Sequence, residues 1–161
     1  MAVARKLAKS DHDGHRIIGW REMISLPDWQ VGRIRAKTDT GARISALDVI
    51  DVEKLPGRRV RFHVATRRSN RERRIAVVAR IVRETLIRSS HGQSAHRYVV
   101  RTRMRIGPVV READISLVCR KHMLCRALIG RQVLGHDLLV DASRRYVLSK
   151  PPKSYLKKAQ R

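Results

Sequence analysis

The segment RAKTDTGARISALD, from Arg35 to Asp48, constrains the fold of this chain more than any other stretch. On its approach, the apolar residues Ile34 and Ala36 alternate with charged ones, and this period of two predicts a β-strand. The strand reaches Asp39-Thr40-Gly41, where the glycine permits a sharp turn because it carries no side chain. The pattern predicts a carboxylate held at a turn beside a cleft, with the Thr40 hydroxyl able to fix the loop by hydrogen bonding.

Asp-Thr-Gly also occurs in ordinary turns, so a catalytic interpretation needs support from elsewhere in the chain. Two further stretches give it: Leu128 and Ile129 run directly into Gly130-Arg131, and GWREMISLPDW spans Gly19 to Trp29. In this order, the three motifs resemble those of bacterial retropepsin-like proteins, a family whose members are often labelled ATP-dependent zinc proteases. The resemblance covers Arg16 to Leu148.

The resemblance implies an all-β, retropepsin-like closed β-barrel with one short helix near the Gly-Arg motif. It also implies two groups of functional residues: a catalytic turn of Asp39, Thr40 and Gly41, and a structural closing motif of Leu128, Ile129, Gly130 and Arg131. Two residues depart from the family pattern, because Ile44 and Asp48 stand where threonine and histidine are more frequent. These departures concern the substrate rather than the fold.

Alternating apolar residues predict further strands at Val60 to Ala65, Ile75 to Ile87, Tyr98 to Ile106 and Val109 to Val118. Aromatic residues make up only 4% of the chain, so the core must consist mainly of valine, isoleucine, leucine and alanine. Residues 88–97 are predicted to form a loop between two of these strands, and the resemblance makes this loop a candidate flap over the cleft.

The net charge is +23, from 37 Lys and Arg against 14 Asp and Glu, and this excess calls for a polyanionic partner or substrate. With 161 residues, the chain is long enough for one domain but too short for a two-lobed, single-chain aspartic protease. We expect a flexible basic arm at residues 1–15, the protease domain at 16–148 and a flexible basic tail at 149–161.

The location of the protein can also be predicted. Two cysteines are too few for a disulfide framework, and the N-terminus lacks the long apolar stretch of a secretory signal. No run approaches the ~18 apolar residues of a membrane span. We therefore expect a cytoplasmic protein with no membrane partner.

Cys119, His122 and Cys125 have a spacing that suits zinc, because thiolates and imidazoles are good zinc ligands. A structural site needs a fourth ligand, which only His136 or a carboxylate could provide. The alternative, which we prefer, is two packed small residues and a surface histidine. The sequence has no His-Glu-x-x-His and no phosphate-binding Gly-x-x-x-x-Gly-Lys motif, so we expect neither a metal nor a cofactor.

Aspartic-type hydrolysis of a peptide uses two carboxylates that share one proton: one activates a water, and the other protonates the carbonyl oxygen. The chain has one Asp-Thr-Gly, so the simplest source of the second carboxylate is a two-fold homodimer in which Asp39 faces its copy. Asp137 and Asp141 are the alternatives within the chain, although their surroundings predict a strand and a turn.

Lys37 lies two residues before Asp39, so both side chains face the same side of a strand. By the resemblance, the substrate-binding residues are Lys37, Ala42 and Arg43, and two of them are basic where viral relatives carry an apolar and an acidic residue. A basic cleft would attract carboxylates, and the charge of +23 would steer an acidic substrate at a rate that falls with salt. Alternatively, Lys37 and Arg43 are simply two of 37 basic residues.

These observations predict an aspartic-type peptidase that acts on acidic, glutamate-rich peptides or protein tails. The resemblance extends to glutamyl peptidases that accompany ATP-grasp ligases, which add glutamates to a ribosomal protein. The rival prediction is a basic nucleic-acid or ribosome-binding module on an inactive retropepsin frame, supported by the excess of arginine. Against the rival, the chain has few aromatic residues to stack on bases and no zinc-finger or RNA-binding motif.

Overall fold

The computed structural model describes residues 14–65, 73–88, 94–119 and 124–158. Ten strands carry almost all of the secondary structure, with a short 3-10 helix and two short α-helices between and after them. The strands are β1 (Arg16–Leu26), β2 (Val31–Thr38), β3 (Ser45–Asp48), β4 (Ile50–Leu55), β5 (Arg59–Ala65), β6 (Arg74–Arg88), β7 (Ser94–Ile106), β8 (Val109–Val118), β9 (Ala127–Ile129) and β10 (Leu138–Arg145). The 3-10 helix is Pro27–Trp29, and the α-helices are α1 (Arg131–Leu134) and α2 (Lys153–Lys158).

The strands pair in the order β10-β1-β2-β9-β3-β8-β7-β6-β5-β4. In addition, β1 pairs with β7 through Ile24 opposite Ile106 and Ser25 opposite Arg105. The predicted all-β class is confirmed for the described residues, and the helix expected near the Gly-Arg motif is α1. The closed barrel stays a prediction.

The strands predicted from alternation correspond to β5, β6, β7 and β8, with one large difference in length. β7 begins at Ser94, because its pairing with β6 continues to Arg88 opposite Ser94. The predicted loop at residues 88–97 was therefore too long: much of it is paired strand. Residues 89–93 of the candidate flap lie outside the described residues.

The core is aliphatic, as the composition predicted. On β2, Val31, Ile34 and Ala36 are buried while Lys37 is exposed, so the alternation read from the sequence does divide core from surface. The single phenylalanine of the chain, Phe62, is fully buried and meets Trp29 edge to face with 5.3 Å between ring centroids.

Residues 149–158 of the predicted C-terminal tail are described, and two of them, Ser149 and Tyr155, contact residues of the sheet and the segment after it. Ser149 is buried, and its backbone N–H and hydroxyl both donate to the carboxylate of Glu22 on β1. Tyr155 of α2 packs edge to face against Tyr146, with 5.0 Å between centroids. The predicted N-terminal arm falls outside the described residues up to residue 13.

Within the described ranges, no helix combines the length and the apolar character needed to cross a membrane.

Candidate active site

The turn that carries Asp39 is held in place by hydrogen bonds to the closing motif. Residues 39–44 join β2 to β3, and β9 lies between these two strands, parallel to β2 and antiparallel to β3. Thr38 is in register with Ile129, and the Asp39 backbone N–H donates to the Ile129 carbonyl at 2.9 Å. Two sequence motifs that are far apart in the chain therefore form one structural unit.

The Asp39 carboxylate is fixed by the backbone of its own turn. Its Oδ1 accepts hydrogen bonds from the backbone N–H groups of Gly41 at 3.0 Å and Ala42 at 3.2 Å. Within the described part of the chain, no hydrogen bond to Oδ2 is found. The sequence predicted that the Thr40 hydroxyl could fix the loop, but the exposed Thr40 contributes its carbonyl, which accepts a hydrogen bond from Arg131. It is the Thr38 hydroxyl that bonds to a neighbouring strand, donating to the Trp20 carbonyl at 3.2 Å.

The closing motif holds the far side of the same turn. The Arg131 backbone N–H donates to the Ala42 carbonyl at 2.9 Å, and Arg131 Nη1 donates to the Thr40 carbonyl at 2.8 Å. Gly130 packs directly on backbone: a Cβ at this position would lie 2.4 Å from the Ile44 carbonyl oxygen. Only glycine allows this approach, which explains the Gly-Arg pair.

Asp39 opens into a cleft of about 530 Å³. Among the described residues that line it, Asp39 is the sole carboxylate, and the other charged side chains are Arg43, Arg83 and Arg97. The buried Ser116 also lines the cleft, and its hydroxyl has no hydrogen-bond partner among the described residues. The cleft thus combines one carboxylate with three cationic groups and an unsatisfied hydroxyl.

A family model described as "Retropepsin-like aspartic endopeptidase RimB" matches residues 17–151, a span that contains both the Asp39 turn and the closing motif. The chain belongs to the RimB-like family.

Relatives of this RimB-like chain include longer proteins. A probable alpha-L-glutamate ligase from Shewanella pealeana is 30% identical over 141 residues, which are 84% of this chain and 30% of the relative. Another, from Desulfotalea psychrophila, is 28% identical over 147 residues, which are 89% of this chain and 32% of the relative. The chain therefore spans about a third of the length of the curated relatives it matches.

A solved structure supports the fold. A Legionella pneumophila protein of unknown function is similar with a TM-score of 0.67 at 23% identity, and the match covers 83% of this chain and 98% of that one.

Of the three substrate-binding residues predicted for the RimB-like chain, two line the cleft and one does not. Ala42 and Arg43 line the cleft, whereas Lys37 is exposed and is not among the lining residues. The sequence reasoning missed Arg83 and Arg97, which come from β6 and β7. No local motif marks them, because they reach the cleft only through the pairing of β6 with β7 and of β7 with β8.

The two in-chain alternatives for a second catalytic carboxylate are engaged elsewhere. Hydrogen bonding to the Arg111 guanidinium lowers the pKa of Asp137, and contacts at 2.5 and 2.6 Å join these groups. Hydrogen bonds from Ser143 and then Arg144 lower the pKa of Asp141 to about 2. Neither carboxylate lines the cleft, and both are held ionised at neutral pH.

The sequence also offered candidate zinc ligands. Among the described residues, no three His, Cys, Asp or Glu side chains are grouped so that they could hold a metal ion. Cys119 is exposed and Cys125 is buried, while His122 lies outside the described residues. Of the two departures from the family pattern, Ile44 lines the cleft and Asp48 is buried at the end of β3.

Proposed function

We propose that this chain is an aspartic-type peptidase that hydrolyses peptide bonds in acidic, glutamate-rich peptides or protein tails. One observation carries the proposal: Asp39 is the only carboxylate among the described lining residues of a cleft whose other charged groups are Arg43, Arg83 and Arg97. Such a cleft repels cationic peptides and favours side chains that bear carboxylates.

The hydrogen bonds of Asp39 support a role in activating water. The two backbone N–H groups on Oδ1 fix the carboxylate, and Oδ2 is left to accept a proton from a water. The second carboxylate is proposed to be the partner's Asp39 in a two-fold homodimer, since Asp137 and Asp141 are paired away from the cleft. The two carboxylates would share one proton, as this reaction type requires.

The closed barrel belongs to the same proposal. The pairing of β1 with β7 connects the two ends of the run β1-β2-β9-β3-β8-β7, which would close these six strands around the core. A closed ring would fix the β2-β3 turn and the β6-β7 hairpin on one rigid frame, as a preorganised cleft needs.

The charge and the relatives support an acidic substrate. A net charge of +23 would steer polyanionic peptides toward the protein. The relatives named probable alpha-L-glutamate ligases point to glutamate chemistry, so a glutamylated protein tail in the cytoplasm is the proposed substrate.

The test is hydrolysis of a blocked oligoglutamate peptide, with oligoaspartate and neutral peptides as controls, at low and at physiological salt. We expect cleavage of the glutamate peptide by the native protein, a lower rate at higher salt, and a loss of at least ~100-fold in the Asp39→Asn variant. Equal cleavage of the neutral peptide would discard the acidic substrate, and no cleavage by a folded, dimeric protein would discard the peptidase.

Binding to RNA or the ribosome is the second candidate function, favoured by the same positive charge. A salt titration of RNA binding by the native protein and by Asp39→Ala separates the two functions. Unchanged RNA binding combined with lost hydrolysis would assign them to separate surfaces.

A further inference from the structure

The strand register places a continuous row of side chains across the cleft face of the sheet. Directly opposed residues on adjacent strands face the same side, so the pairings can be followed from strand to strand. From β2 to β6 the row is Lys37, Leu128, Ala46, Ser116, Val99 and Arg83. It is basic at both ends and small or apolar between them, and at ~4.8 Å per strand it spans roughly 24 Å along the sheet.

Arg97 lies one step from this row, on the same face. On β7 it stands two residues before Val99, and its partner on β6 is Thr85. Arg83 and Arg97 are therefore diagonal neighbours on adjacent strands, with their backbone positions about 7–8 Å apart. Both line the cleft that contains Asp39.

The two faces of the β6-β7 hairpin differ in how their charges are used. On the far face, Glu84 pairs with His96 at 2.9 Å and with Lys54 at 2.8 Å. On the cleft face, neither Arg83 nor Arg97 forms an ion pair with a described carboxylate. Among the described residues, this hairpin therefore pairs Glu84 on one face and leaves Arg83 and Arg97 without an ion pair on the other.

Asp114 is the carboxylate that the charge of Arg83 does influence. Its pKa is lowered first by the hydrogen bond from Arg101 and only to a small extent by Arg83. Asp114 forms two hydrogen bonds with Arg101, at 2.7 and 3.2 Å, and it does not line the cleft. It therefore leaves Arg83 available to a ligand.

We propose that Arg83 and Arg97 bind two side-chain carboxylates that lie two residues apart on an extended acidic peptide. In an extended chain, side chains on one side repeat every ~6.8 Å, which matches the diagonal spacing of the two arginines. Ser116 lies on β8 between these arginines and β3, and its buried hydroxyl has no hydrogen-bond partner among the described residues. This inference rests on the proposed peptidase function and names the residues that select its substrate.

The experiment measures binding of blocked, glutamine-based peptides to the full-length Asp39→Asn protein at physiological salt, so that no cleavage occurs. One peptide carries two glutamates separated by one glutamine, and the other carries two glutamates separated by two. We expect the first to bind more tightly. Arg83→Gln and Arg97→Gln should each weaken its binding about tenfold and remove the difference between the peptides.

Arg105→Gln is the matched control, because Arg105 is an exposed arginine on β7 that does not line the cleft. It removes the same charge and should leave the preference intact, while Arg97→Lys should recover part of the affinity. Equal binding of both peptides, or an equal loss in Arg105→Gln, would overturn the inference in favour of diffuse attraction.

Hydrolysis by the native protein separates this inference from the function on which it rests. Cleavage of oligoglutamate that is unaffected by Arg83→Gln and Arg97→Gln would keep the peptidase and discard the two binding residues. The expected peptide preference in a native protein that cleaves nothing would keep the binding residues and discard the peptidase.

Discussion

Two carboxylates, one in the middle of β1 and one directly after β2, are both held by backbone N–H groups, but their two oxygens are used differently. Glu22 is fully buried and accepts five hydrogen bonds from Gly19, Val147, Leu148 and Ser149, the last through its N–H and its hydroxyl. Asp39 is half-buried, accepts two hydrogen bonds on Oδ1, and faces the cleft.

The difference supports the separate roles that we propose for the two carboxylates, structural for Glu22 and reactive for Asp39. Both oxygens of Glu22 are consumed by the chain, so this side chain can only join β1 to the segment around Ser149. Asp39 is oriented by one oxygen alone, which leaves the other for a water or a substrate. The proposed role of each carboxylate thus follows from how many of its oxygens the chain already engages in hydrogen bonds.

The largest effect on stability is expected from Glu22→Ala. The variant leaves five donors without an acceptor in a buried site, so we expect a loss of about 3 kcal/mol or more in the free energy of unfolding. Denaturant titration measures it. Asp39→Asn is the control, since an amide oxygen can accept the same two turn hydrogen bonds and the stability should change little. Equal destabilisation by both changes would remove the distinction between the two carboxylates.

An intermediate effect is expected from Gly130→Ala, which tests the support beneath Asp39. The new Cβ would lie 2.4 Å from the Ile44 carbonyl oxygen, so the backbone must move. We expect a loss of stability of about 2 kcal/mol and a lower rate of peptide hydrolysis, because the turn shifts. Gly32→Ala is the matched control, since nothing lies within 4 Å of its Cβ position. A Gly130→Ala protein as stable and active as Gly32→Ala would contradict the role given to the closing motif.

The smallest effect concerns a third, exposed carboxylate, Asp28. Hydrogen bonds from the Arg103 side chain and backbone lower its pKa from 3.8 to about 2. Because the pKa is lower in the folded state, the stabilisation is complete above pH 3.8 and is lost as the pH falls through about 2. Asp28→Asn should therefore lower the melting temperature slightly at neutral pH and have no effect below pH 2. If the melting temperatures of the native protein and Asp28→Asn still differ below pH 2, the effect comes from altered packing or hydrogen bonding and not from the lost charge.

Much of the candidate site could be predicted because its signals are local. Asp39-Thr40-Gly41 needs only a strand followed by a turn, and Gly130-Arg131 follows two apolar residues that reach the core. The Glu22 to Ser149 bond could not be predicted in the same way, since 127 residues separate its partners and no period connects them. The tail that the sequence suggested to be flexible from residue 149 onward begins at this bond.

Composition and local pattern determined that this chain forms strands with an aliphatic core, carries a large positive charge, and presents one carboxylate at a glycine turn. These properties depend on neighbouring residues and on sums over the chain. Tertiary structure alone decided which of the many arginines surround Asp39, because strand register determines which side chains face the same cleft. Register is fixed by burial of the sheet as a whole. It puts Lys37 and Arg83 at opposite ends of one row on the same face, and of these two only Arg83 lines the cleft, together with Arg97.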